Sequence, residues 1–107
     1  FCKIVAERIP ATVVARSEHS LAFRDIDPQA PTHVLVIPRR HVQNVGELAD
    51  APRELADLFE LAARAAAQEG LGRGYRMVTN TGSEGGQIVF HAHVHVLGGR
   101  PMQWPPG

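Results

Sequence analysis

Cysteine is nearly missing from this chain: Cys2 is the only one in 107 residues. That excludes an internal disulfide and suits a reducing compartment, so the expected localisation is cytoplasmic. Long apolar runs are missing as well, none approaching the length of a membrane span, and no membrane partner is expected. An excess of either charge is absent, since eleven Lys and Arg balance eleven Asp and Glu for a formal net charge of zero. Without the long-range field of a nucleic-acid binder, no nucleic-acid polymer is expected as a partner, while a small anion held by local dipoles stays compatible. Internal repeats and low-complexity segments are absent. The chain reads as one domain over residues 1–107, near the size where a single core is adequate but not generous, so dimerisation would add useful burial.

What the chain does have is histidine, concentrated in FHAHVHVLGG at 90–99. In a strand, alternate residues share a face, so His91, His93 and His95 would form a row with neighbours roughly 6–7 Å apart, with Ala92, Val94 and Val96 on the other side. Clustered imidazoles repel when protonated and sit poorly in a strand, so strict alternation points to chemistry rather than decoration. Spacing alone leaves open a solvated strand face, core histidines bonded to backbone, or an H-x-H pair of zinc ligands. A neutral imidazole with one nitrogen unprotonated is a good phosphorus nucleophile, and an ordinary pKa of about 6.5 permits that state near neutrality. The central residue, His93, is best placed for it.

Phe1, Ile4, Val5 and Ile9 are spaced for a short amphipathic helix ended by Pro10. Ala11–Arg16 and Leu21–Ile26 predict a hairpin. Asp27–Pro31 breaks the pattern, and His33–Ile37 is a third strand halted by Pro38. The apolar period then changes. Asp50 offers a capping carboxylate and Pro52 a first helical position, with Leu55, Leu58, Phe59, Ala62 and Ala66 on one side, which predicts a helix over Pro52–Glu69 closed by Gly70. Arg53 with Asp57 and Glu60 with Arg64 sit four apart on its exposed side. Gly74–Thr79 is a fourth strand, Asn80–Gly86 a glycine-rich turn, and Gln87–Leu97 a fifth strand carrying the histidines. The class is α+β: two helices and five largely antiparallel strands, with Arg100–Gly107 as an extended tail. In the turn, glycines let backbone N–H groups approach an anion, although a plain hairpin turn has the same composition.

The run His, apolar, His, apolar, His, apolar, apolar over 91–97 resembles the signature of the histidine triad (HIT) family of nucleotide hydrolases and transferases. The similarity extends through KIVAERIPATVV, LAFRDIDPQAPTHVLVIPRRH, GYRMVTNTGSEGGQ and LGGRPMQWPPG. These segments, above all the closing WPPG, look like the Hint branch of purine nucleoside phosphoramidases. The resemblance implies a HIT-like fold and cleavage of the P–N bond of purine nucleoside 5′-phosphoramidates. His93 would attack the α-phosphorus, His95 and His33 would serve the proton relay, and the backbone carbonyl of His91 would orient the nucleophile. It also implies a nucleotide pocket in which Asp25 accepts from ribose hydroxyls, Phe23 and Ile26 wall the base, and Asn80 and Gly86 lie on the phosphate side. Where many Hint-like sequences carry serine two residues after Gly86, this chain has Ile88.

In the Hint branch the C-terminal segment crosses a two-fold dimer, so a homodimer is implied, with Trp104 reaching the partner's site. No cofactor is implied for catalysis. Some bacterial triad proteins hold a structural zinc, and Cys2, His41 and His91 match three of its four ligand positions, the fourth falling before Phe1. The competing readings are dinucleoside polyphosphate hydrolysis, against which the WPPG ending argues; nucleotidyl transfer, against which His95 argues where that branch has glutamine; a zinc hydrolase; and a nucleotide-binding scaffold without turnover.

Overall fold

The computed structural model describes residue 1 and residues 11–107; the expected N-terminal helix, and Cys2 with it, lies outside the described residues. β-branched and apolar alternation builds five strands: β1 (Val13–Arg16), β2 (Ser20–Arg24), β3 (Thr32–Pro38), β4 (Tyr75–Val78) and β5 (Val94–Gly98). They form one sheet in the order β1-β2-β3-β5-β4, with every neighbouring pair antiparallel. One helix, α1 (Pro52–Gln68), and a 3-10 turn at Val45–Leu48 complete the described elements. No helix among the described residues is long and apolar enough to cross a membrane.

Strand alternation gives the sheet two different faces. Ala22, Val34, Val36, Val94 and Val96 point to α1 and bury against its Leu58, Leu61, Ala62, Ala65 and Ala66. On the opposite face Leu21, Phe23, Leu35 and Ile37 form a smaller cluster. Register places the chemistry on this second face. His95 pairs with Leu35, and His33 lies two residues before Leu35 on the same strand. The helix therefore supplies most of the burial, and the face it leaves uncovered carries the site.

Four local expectations differ from the structure. β5 begins at Val94, not Gln87. The preceding segment bonds elsewhere: Ala92 N donates to Val42 O at 2.8 Å and the Gln87 amide donates to Gln43 O at 2.6 Å, so His91 and His93 lie before the strand and only His95 is inside it. Asp50 does not cap α1; the N-cap is Ala51, with no side-chain bond, and Pro52 opens the helix. Phe59 is exposed, while Leu61 and Ala65 take the core. The helix charges turn toward the first hairpin rather than to each other. Asp57 accepts from Ser17 Oγ at 2.6 Å and His19 N at 3.2 Å, and Arg64 donates to Arg16 O at 2.6 Å.

The ends of the main elements have readable causes. β2 stops at Arg24 because Asp25 turns the chain, its Oδ1 accepting from Asp27 N at 2.8 Å. α1 closes with Gly70 N donating to Ala67 O and Leu71 N to Ala66 O, a paired C-terminal cap. Asn44 caps the 3-10 turn through a bond from Glu47 N at 3.1 Å.

Candidate active site

His93 is buried, and its Nδ1 lies 2.7 Å from the carbonyl oxygen of His91. A carbonyl can only accept, so the proton sits on Nδ1 and the lone pair on Nε2. Among the described residues Nε2 has no hydrogen-bond partner, and the ring lines a cleft of about 590 Å³. Thr79 Oγ1 donates to the backbone oxygen of His93 at 2.8 Å, fixing that residue's own peptide.

A second chain of bonds fixes the neighbouring rings. Gln29 N donates to His33 Nδ1 at 3.0 Å, which leaves the His33 proton on Nε2. That proton faces His95 Nδ1 at 2.9 Å and, more distantly, Asp25 Oδ2 at 3.4 Å. His95 Nδ1 then accepts, and its own proton sits on Nε2. Burial lowers the His33 pKa, with Asp25 and Asp27 pulling the other way. Burial also lowers that of His95 to about 4, and His93 and His33 add repulsion against a charge there. Both rings are neutral near pH 7, and His95 presents an N–H.

His91 belongs to a separate pair. Its Nε2 donates to Pro38 O at 3.1 Å, while its Nδ1 meets His41 Nδ1 at 3.0 Å. Burial lowers the His91 pKa, the bond to Pro38 O opposes this, and His41 adds to it. With its proton committed to Pro38, His91 presents an Nδ1 lone pair at the point where His41 converges, as second-shell orientation of a metal-ligating histidine requires. These two donors fit a metal ion; Cys2 lies outside the described residues. Asp25, His33 and His95 also offer ligand atoms within 4.8 Å of one another. There, however, the bond between His33 and His95 accounts for the geometry and would have to break for both nitrogens to bind an ion.

The remaining predicted residues divide clearly. Phe23, Asp25, Ile26, Asn80 and Gly86 all line the same cleft as His33, His93 and His95. Asn80 Nδ2 donates to Gly85 O at 2.7 Å, and Gly86 has φ +81°, a backbone that a side chain would strain. Trp104 is not part of this group: it is 83 % exposed, on a tail tethered by Arg76 donating to Gln103 O at 2.7 Å.

The sequence pattern of the HIT domain matches residues 6–102. The chain belongs to the HIT family. It is 52% identical over 111 residues to a 14 kDa zinc-binding protein of Zea mays, covering 100% of this chain and 86% of that protein. The crystal structure of a HIT family hydrolase from Legionella pneumophila superposes with TM-score 0.94 at 51% identity, covering 100% of this chain and 97% of that one. A histidine triad nucleotide-binding protein from Candida albicans superposes with TM-score 0.85 at 28% identity, covering 98% and 81%.

Several residues of this HIT site carry no sequence signal of their own. Gln87 is buried and serves three backbone groups: Oε1 accepts from Gly82 N at 2.9 Å, and Nε2 donates to Gln43 O and to Val89 O at 3.0 Å. It holds the loop before the triad. Thr79 and Gln29 act through one bond each, which only tertiary structure reveals. Phe1 lines the cleft, its ring centroid 5.1 Å from that of His93 and 5.7 Å from that of Phe23.

Proposed function

We propose that this HIT protein is a hydrolase of the Hint type that cleaves purine nucleoside 5′-phosphoramidates through a nucleotidyl-histidine on His93. One observation carries the reading: the 2.7 Å bond from His93 Nδ1 to His91 O, which leaves Nε2 unprotonated on the wall of a cleft sized for a nucleotide.

In the first step Nε2 of His93 forms a bond to the α-phosphorus and the P–N bond of the substrate breaks. The departing nitrogen takes a proton that enters from solvent through the His33–His95 pair, and the amine leaves. In the second step water attacks phosphorus and its proton passes to the same pair. The P–N bond to His93 breaks, and the nucleoside monophosphate leaves with Nε2 carrying its lone pair again. The proton borrowed in the first step is returned in the second. His91 acts through its carbonyl as a positioning residue. Asp25 holds the ribose hydroxyls, Phe23 and Ile26 the base, and Asn80 and Gly86 the phosphate side.

No metal takes part in this scheme. A zinc ion held by Cys2, His41 and His91 would be structural and would fasten the N-terminal segment to the sheet. The protein acts in the cytoplasm as a homodimer in which Trp104 reaches the partner's site.

The deciding experiment follows hydrolysis of an adenosine 5′-phosphoramidate after exhaustive chelation, wild type against His93→Ala, with mass spectrometry of the quenched enzyme. Turnover that survives chelation, vanishes in the variant and leaves adenylyl mass on His93 is expected. Activity lost with a metal, or an inert wild type, would reject the reading.

A further inference from the structure

The carbonyl that takes the His93 proton is half of a peptide group whose other half is bonded too. His91 O and Ala92 N belong to one trans peptide and point opposite ways; the first accepts from His93 Nδ1 at 2.7 Å and the second donates to Val42 O at 2.8 Å. Val42 O and Gln43 N belong in turn to a second such peptide, and Gln43 N donates to Glu47 Oε1 at 2.7 Å. Three short bonds and two peptide groups thus run head to tail from the imidazole to a carboxylate in the 3-10 turn. All the N–H groups point toward that carboxylate, the order in which each bond polarises the next. The far end is held from its other side as well, since Gln43 O accepts from the Gln87 amide at 2.6 Å.

A carboxylate in the first turn of a helix has an ordinary use as a cap. Here that place is taken: Asn44 Oδ1 accepts from Glu47 N at 3.1 Å, and the Glu47 side chain reaches one residue beyond the cap, to Gln43 N. Glu47 is exposed, so solvent and salt screen its charge and little of its field arrives at His93; what it transmits is alignment. We infer that Glu47 is a positioning residue of the reaction, holding through Gln43, Val42 and Ala92 the carbonyl that aims His93. The role rests on the reading of His93 as the nucleophile of a phosphoramidase.

The test sets Glu47→Ala beside Glu47→Gln, which keeps an acceptor oxygen, and Asn44→Ala, which removes the cap bond and leaves the carboxylate. kcat and KM are measured on an adenosine 5′-phosphoramidate, while NMR follows the His93 Nδ1 proton and the exchange of the Ala92 amide. Glu47→Ala is expected to lower kcat roughly fivefold with KM unchanged, less than the tenfold or more that a direct orienting partner brings. It should also move the His93 Nδ1 proton upfield and speed Ala92 exchange severalfold. Glu47→Gln should restore most of all three. Asn44→Ala should lower the urea midpoint and leave kcat and the proton shift in place. A Glu47→Ala enzyme with wild-type kcat, or a loss that Asn44→Ala reproduces, would overturn the inference while wild-type turnover keeps the phosphoramidase reading standing. A lowered kcat with the His93 proton and Ala92 exchange unmoved would overturn it as well. An inert wild type would overturn that reading and this role together.

Discussion

His33 and His95 share one proton position: Nε2 of the first stands 2.9 Å from Nδ1 of the second, and only one of those nitrogens is protonated in the neutral pair. The bond from Gln29 N to His33 Nδ1 decides which, so a backbone amide sets the direction in which His95 donates. Nitrogen-15 shifts of the imidazoles near pH 7 should show His33 and His95 protonated at Nε2 and His93 at Nδ1. Gln29→Pro removes the N–H. It should mix the His33 tautomers and lower kcat by roughly tenfold, the scale of a lost orienting bond, with KM little changed.

Acid should destabilise the fold earlier than carboxylate chemistry alone would. His33, His91 and His95 hold protons less tightly in the folded protein than an ordinary histidine of pKa 6.5, mainly through burial, and His95 falls to about 4. As pH falls the unfolded chain is therefore protonated first. Stability is full above 6.5 and is lost progressively between 6.5 and about 4. Urea midpoints taken at pH 7.5, 6 and 5 should fall steadily, and His95→Gln should flatten the slope.

Thr79 does not line the cleft, yet its hydroxyl holds the peptide oxygen of His93, the proposed nucleophile. Thr79→Val keeps the shape and loses the bond, at a cost of about 1 kcal/mol in stability. The expected signature is kcat reduced with KM unchanged, and Thr79→Ser restoring activity. A Thr79→Val enzyme with wild-type kcat would show that the carbonyl needs no anchor.

Gly98 in β5 lies where α1 hands the chain on to Leu71. A Cβ at Gly98 would come 2.6 Å from Leu71 Cδ1, so Gly98→Ala must displace a leucine from the core edge. Because the clash falls on the far end of a side chain, the cost should be modest, about 1 kcal/mol. Combining it with Leu71→Ala should recover most of that, a coupling that a double-mutant cycle in urea measures.

The elements legible in the sequence are those with one dominant cause. The β-branched run HVLVI gives β3, the Leu and Ala stripe with Pro52 and Gly70 at its ends gives α1, and the alternation VHVLG gives β5. The cleft was legible through family resemblance: Phe23, Asp25, Asn80 and Gly86, distant in sequence, come together with His33, His93 and His95. What stayed hidden was decided by partners far along the chain. The alternation of His91, His93 and His95 predicts a strand, but Pro38, Val42 and Gln43 capture the segment from outside the ladder. Asp57 and Arg64 have suitable charges four residues away and choose Ser17 and Arg16 instead, because the hairpin offers them uncompensated polar groups.

The late start of β5 divides the site by mechanical character. His95 rides in the ladder between β3 and β4, which opens only with the core. His93 hangs from a loop sewn down by side-chain bonds from Thr79, Gln87 and His91 to scattered carbonyls, each of which can release on its own. In hydrogen exchange the two neighbours should belong to different cooperative units. The protein can lose the aim of His93, the proposed nucleophile, without losing its fold.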